Sequence, residues 1–168
     1  MTEKYLNRIL VKSIKEHGWG YKISDDAGDF TGTVKKPFDY LGCTNKFFIY
    51  GESKMIKDGL YAFNFKRIEP HQFDALLNCK KAIQSMKYVN FHTVVSVGFW
   101  KPRVFFYVMF FDIISILRAI ENGRKSIKKK ELEAIIADNQ YLNIKKGLVV
   151  DIETLSDKII YDFSPYLL

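Results

Sequence analysis

Apolar residues recur at helical spacing near the start of the chain, with Leu6, Ile9, Leu10 and Ile14 on one stripe of residues 3–17. That spacing predicts an amphipathic helix, with Thr2 as its N-cap and Gly18 as its stop. Residues 19–23 read as a short strand. The polar, glycine-containing stretch SDDAGDFTGTVKK at 24–36 reads as a loop. PFDYLG at 37–42 reads as a strand entered through proline, and NKFFIYGESK at 45–54 as an aromatic-rich strand. The connection Cys43-Thr44-Asn45 is short enough for a hairpin between them. Residues 55–67 read as a loop with one extended piece.

After Pro70, helical spacing returns at Phe73, Leu76, Leu77, Ala82 and Ile83, predicting a second helix with proline near its start. Two β-rich runs follow, 91–99 and 103–110, joined by Trp100-Lys101-Pro102. A helix over 112–120, a basic segment GRKSIKKK at 123–130 and a short helix over 131–138 complete the readable part. The order is helix, about three strands, helix, two strands, helix. That succession suits an α/β fold, one mixed sheet flanked by helices. There is no internal repeat and no linker, so the whole chain, 1–168, reads as one domain. Its core spans about 1–120, with a basic C-terminal extension over about 121–168.

Composition narrows the class. With 168 residues, 48% of them hydrophobic and 15% aromatic, the chain can bury a core and is not disordered. The most apolar stretch, Val104 to Leu117, is too short to span a bilayer and contains Asp112. The first ten residues carry charges where a signal peptide needs an apolar run, so we read no secretion signal. Two cysteines without a Cys/His cluster argue against structural zinc and fit a reducing, cytosolic compartment. A net charge of +7 favours a polyanionic partner, of which nucleic acid is the commonest.

The chemistry sits at the end of the 45–54 strand. Side chains alternate along a strand, so Glu52 and Lys54 project to one face. If this strand pairs with PFDYLG, Asp39 lies beside Glu52. Two converging carboxylates repel each other unless a cation stands between them. Oxygen donors of this kind suit Mg²⁺ or Mn²⁺. Glu52-Ser53-Lys54 is the only acid-x-Lys tripeptide in the chain. Acid-x-Lys alone is a weak signal, since a plain surface ion pair at a strand end leaves the same trace.

PFDYLG followed by IYGESK resembles the paired motifs of the PD-(D/E)xK nucleases, and within them the Holliday-junction resolvases of the RecU group and their phage relatives. Asp39, Tyr40 and Gly42 match the family's Asp-Tyr-x-Gly, and Glu52 and Lys54 its Glu-x-Lys. His71 and Gln72 match a His-Gln pair that opens the next helix. The resemblance covers about residues 1–110. It implies a restriction-endonuclease-like fold and a Mg²⁺- or Mn²⁺-dependent endonuclease that cleaves four-way DNA junctions. It further implies work in recombination, repair or phage DNA processing, in the cytoplasm of a bacterial or phage-infected cell. It implies Asp39, Glu52, Lys54 and Gln72 as catalytic residues, with metal held by Asp39, Glu52 and the backbone carbonyl of Ser53. The family's catalytic glutamate on the first helix, which joins the metal ligands, is taken here as Glu3, with Asn7, four residues on and on the same face, as the alternative.

His71, Lys35, Lys36, Arg124, Lys128, Lys129 and Lys130 are candidate DNA contacts. His71 is equally suited to capping its helix, and the 124–130 cluster to a solvated surface. The region before Asp39 is shorter than the protruding stalk of RecU proteins; Lys35, Lys36 and the GDFTG loop would be its reduced version. Symmetric cuts on opposed strands imply a homodimer. The rival readings are a related nuclease acting on ordinary duplex or single strands, and a DNA-binding module without catalysis.

Overall fold

The computed structural model describes residues 2–23, 35–57, 60–84, 90–101, 105–139 and 154–162. Residues 24–34 of the loop expected at 24–36, and residues 140–153 and 163–168 of the tail, lie outside them.

Helix α1 runs over Glu3–Lys15. The Thr2 hydroxyl accepts from the Tyr5 backbone N–H at 3.3 Å, as expected of an N-cap. Leu6, Ile9, Leu10 and Ile14 are all buried, and so is Asn7. The helix ends before Gly18, which instead opens strand β1 (Gly18–Lys22). Strands β2 (Tyr40–Thr44) and β3 (Phe48–Met55) form the expected antiparallel hairpin. Asp39 stands just before β2, later than the strand start expected at residue 37. Its backbone N–H still donates to the Gly51 carbonyl, which extends the ladder by one residue.

The stretch after β3 holds strand β4 (Ala62–Asn64) and a 3-10 turn. Helix α2 (Pro70–Ile83) begins at proline, whose missing N–H would have had no partner in a first turn. It crosses to β5 (Phe91–Lys101), which lies parallel to β3. Strand β6 (Phe105–Asp112) turns back antiparallel, and Asp112 caps helix α3 (Ile113–Glu121) through its side chain. The apolar run near residue 110 is thus a buried strand feeding a helix. No helix among the described residues is long and apolar enough to cross a membrane.

The rest of the chain packs more tightly than its basic composition suggests. Strand β7 (Ser126–Lys128), inside the segment expected to be only a basic surface, pairs with β4 in a two-stranded sheet. Helix α4 (Lys129–Asn139) follows, then a short α5 (Leu155–Lys158) and β8 (Ile159–Ile160). Ile127, Leu132, Ile135 and Leu155 are buried in the core. β8 completes a mixed six-stranded sheet in the order β1-β2-β3-β5-β6-β8. This is a restriction-endonuclease-like α/β fold.

Close approach across the sheet is set by glycine. A Cβ on Gly42 would stand 2.7 Å from Ile14 of α1, and one on Gly51 would stand 2.2 Å from the Tyr40 ring. Tyr40 is fully buried, so Gly51 is what lets its ring lie against β3, next in sequence to Asp39. Gly51→Ala should therefore lower stability by about 2 kcal/mol or more, the overpacking range. Urea denaturation measures it; an unchanged midpoint would mean that Tyr40 has room to move.

Candidate active site

The hairpin register brings the acidic side chains together. Tyr40 pairs with Gly51, so one step further out Asp39 faces Glu52 across the ladder. Asp39, Glu52 and Lys54 are all buried, at 4%, 1% and 7% exposure. A surface ion pair at a strand end is thereby excluded. Asp39 Oδ2 accepts from the Ser53 backbone N–H at 2.9 Å, and Oδ1 is paired with Lys36 Nζ at 2.7 Å. Lys54 Nζ donates to Glu52 Oε1 at 2.8 Å and to Gln72 Oε1 at 3.2 Å. Gln72 Oε1 also accepts from the Glu69 backbone N–H at the start of α2. The lysine is thus held between a strand and a helix.

Two acceptors are left over. Glu52 Oε2 and Asn7 Oδ1 are buried and find no hydrogen-bond partner among the described residues. Both residues line one cavity of about 300 Å³, together with Glu3, Asp39, Lys54 and Gln72. An unpaired buried carboxylate oxygen costs more free energy than an unmade neutral contact. Burial and the neighbouring Asp39 charge push the Glu52 carboxyl up to about 7. Lys54 and Lys36 pull it the other way and lose. The desolvated acid pair therefore outweighs two lysines. No group of three His, Cys, Asp or Glu side chains among the described residues is arranged to hold a metal. The oxygen donors here are two carboxylates and an amide.

Glu3 lines the same cavity, but its Oε1 pairs with Arg67 and accepts from the Met55 backbone N–H. Arg67 also donates to the Met55 carbonyl. Its pairing with Glu3 left no sequence signal, because the two residues are 64 apart. Lys4, Lys22 and Glu69 complete the lining and were likewise not singled out. Only the strand-end position of Lys22 pointed toward it.

Of the candidate DNA contacts, Lys36 sits in the site beside Asp39. Lys35 is an exposed neighbour of Glu69, at 3.8 Å. His71 Nε2 donates to the Lys36 carbonyl at 3.1 Å and Nδ1 stands 3.4 Å from Glu69, tying the approach to Asp39 onto α2. Arg124 is held by both Glu131 oxygens, at 2.8 and 2.9 Å. Lys128, Lys129 and Lys130 lie at the β7–α4 junction and do not line the cavity.

A mixed sheet with Asp39 just before one strand, and Glu52 and Lys54 on the next, is the arrangement expected of a PD-(D/E)xK nuclease. Residues 29–157 match the family described as Recombination protein U, RecU. The chain belongs to that family of Holliday-junction resolvases. No curated protein matches the chain closely enough to add to this.

The raised Glu52 value has a consequence for stability. Between its ordinary 4.5 and about 7, the folded chain holds a proton that the unfolded chain lacks. That contribution is complete below the ordinary value and is lost as pH rises through about 7. In urea titrations with chelator present, the parent should lose stability relative to Glu52→Gln across this window. Parallel curves for the two proteins would contradict the burial of an ionisable Glu52.

Proposed function

We propose that this chain is a divalent-metal-dependent endonuclease that cuts four-way DNA junctions, with Asp39, Glu52 and Lys54 as its catalytic set. The observation that carries the reading is the buried, unpartnered Glu52 Oε2 beside Asp39, with Lys54 fixed on the opposite oxygen. A carboxylate left in that state is matched by a hard cation. Asp39, Glu52 and the Ser53 carbonyl would hold Mg²⁺ or Mn²⁺, whose donors are oxygens. When bound, the ion would offset the carboxylate repulsion and act as a Lewis acid toward the scissile phosphate.

The protein's own groups then divide the work. Lys54 keeps a positive charge where negative charge develops on the phosphate during attack. Gln72 is a positioning residue, since its amide oxygen aims the Lys54 ammonium. Asn7 is the fourth donor toward the ion in this reading, because Glu3 is engaged by Arg67 whereas the Asn7 amide oxygen is buried without a partner among the described residues. Lys4, Lys22 and Lys36 make the cavity mouth attractive to a phosphate backbone. Lys35, His71, Arg124 and Lys128 to Lys130 would serve only as peripheral contacts. Paired symmetric cuts call for a two-fold homodimer, working on recombining DNA in the cytoplasm of a bacterial or phage-infected cell.

Asp39→Asn and Glu52→Gln should each abolish Mg²⁺-dependent cleavage while sparing junction binding. A panel of labelled junction, fork, flap and linear DNAs reads both, and separates a resolvase from a nuclease of ordinary duplex. Full activity in either variant would remove the site assignment.

Lys54→Ala should lower single-turnover cleavage at saturating enzyme by about a hundredfold or more. Its junction affinity, measured across a salt series in Ca²⁺, should barely move. If the variant cuts at the parent rate once saturated, Lys54 is only a phosphate contact.

Asn7→Ala should weaken Mn²⁺ binding by about tenfold or more. Glu3→Gln should act chiefly on thermal stability. Calorimetric Mn²⁺ titration of both variants checks the choice, and the opposite pattern would return the role to Glu3.

A further inference from the structure

The sheet face that carries Glu52 and Lys54 also carries a row of aromatic rings. Strand pairing puts Trp19 opposite Cys43, and Cys43 opposite Phe48; it puts Tyr21 opposite Leu41, and Leu41 opposite Tyr50. Paired residues share a face, and alternation along β2 puts Asp39, Leu41 and Cys43 on one side. Moving away from Asp39 and Glu52, the next row is Leu41 and Tyr50 with Tyr21 at the edge. The row after it is Cys43 and Phe48 with Trp19 at the edge. Each step is about 7 Å along the strands.

Trp19 is 54% exposed, Tyr21 53% and Phe48 45%. The Trp19 and Tyr21 rings are nearly parallel, 5° apart, with centroids separated by 6.3 Å. Near-parallel, half-exposed rings offer flat faces on which a nucleobase can stack. On the other side of β1, Gly20 packs against Ile14 of α1, so the strand's structural contacts lie on the opposite face.

We propose that Trp19 and Tyr21 form a stacking platform for unpaired nucleotides of a strand entering the carboxylate site. The proposal rests on reading that site as a nuclease. Charge favours this occupant. Lys46 lies at the Phe48 end of the platform, Lys22 and Lys36 line the cavity at the Asp39 end, and the chain carries a net +7. A polyanion is attracted to such a surface. Stacking on aromatic side chains reads any base, so the platform would favour unpaired nucleotides without reading their sequence. A four-way junction offers such nucleotides when base pairs at its crossover open.

The test uses the full chain carrying Trp100→Phe, which leaves Trp19 as its one tryptophan. Titration with a short oligothymidylate in Ca²⁺ should quench Trp19 fluorescence, and a blunt duplex should quench it much less. Trp19→Ala should weaken oligothymidylate binding by at least about fivefold. Trp19→Phe should restore it, which separates stacking from any loss of fold. Sedimentation of the DNA-free protein should be the same for all variants. Parent-like oligothymidylate affinity in Trp19→Ala, or an absence of quenching, overturns the platform. So does a change in sedimentation, which would assign the rings to an interface between copies. Junction cleavage in Mg²⁺ is scored separately. A chain that binds with quenching yet never cuts keeps the platform and loses only the nuclease reading.

Discussion

Asp39 and Glu52 are held side by side in a place almost without solvent, and the surroundings of the site answer to their mutual repulsion. Each carboxylate has been given a lysine, Lys36 on Asp39 and Lys54 on Glu52. The lysines do not settle the account, since Glu52 is still pushed up to about 7 and keeps an oxygen with no hydrogen-bond partner among the described residues. A fold selected only for stability would replace such a pair with apolar side chains at little cost. Keeping two buried acids together is what the proposed divalent ion would account for.

The backbone fixes this pair more firmly than the side chains do. Gly51 lets Tyr40 lie against β3, the Tyr40 hydroxyl meets Ser96 at 2.5 Å, and the β2–β3 register follows from that packing. A slip of one residue would send Glu52 and Lys54 to the opposite face. On the far side of the sheet, α1 delivers Asn7 and Glu3 to the cavity while its apolar stripe enters the core. On the near side, α2 delivers Gln72 to Lys54. Strand, hairpin and both helices therefore meet at one point, and a change in any of them is felt at the acid pair.

Much of this was legible from residue order. Alternation along FIYGESK placed Glu52 and Lys54 on one face, and the helical stripe of α1 came from Leu6, Ile9, Leu10 and Ile14. Both are local signals with a fixed period. What stayed hidden depends on distant partners. Residue order put Glu3 ahead of Asn7 with no sign of the Glu3 pairing to Arg67, and Lys36 looked like a DNA contact until its pairing with Asp39 was visible. Strand β7 was missed because GRKSIKKK has only one buried side chain, Ile127, to mark it. β8 escaped because a two-residue strand has no periodicity to read. Trp19 and Tyr21 were legible as a strand, but their exposure is a property of the sheet's edge.

The central claim is that the acid pair exists to hold a divalent ion. Crystals soaked in Mn²⁺ and measured at a wavelength where manganese scatters anomalously test it directly. The account predicts one strong peak within bonding distance of both Asp39 and Glu52, absent in Glu52→Gln crystals soaked alike. Well-ordered parent crystals with no peak there, and Lys36 and Lys54 still paired to the carboxylates at saturating Mn²⁺, would contradict it.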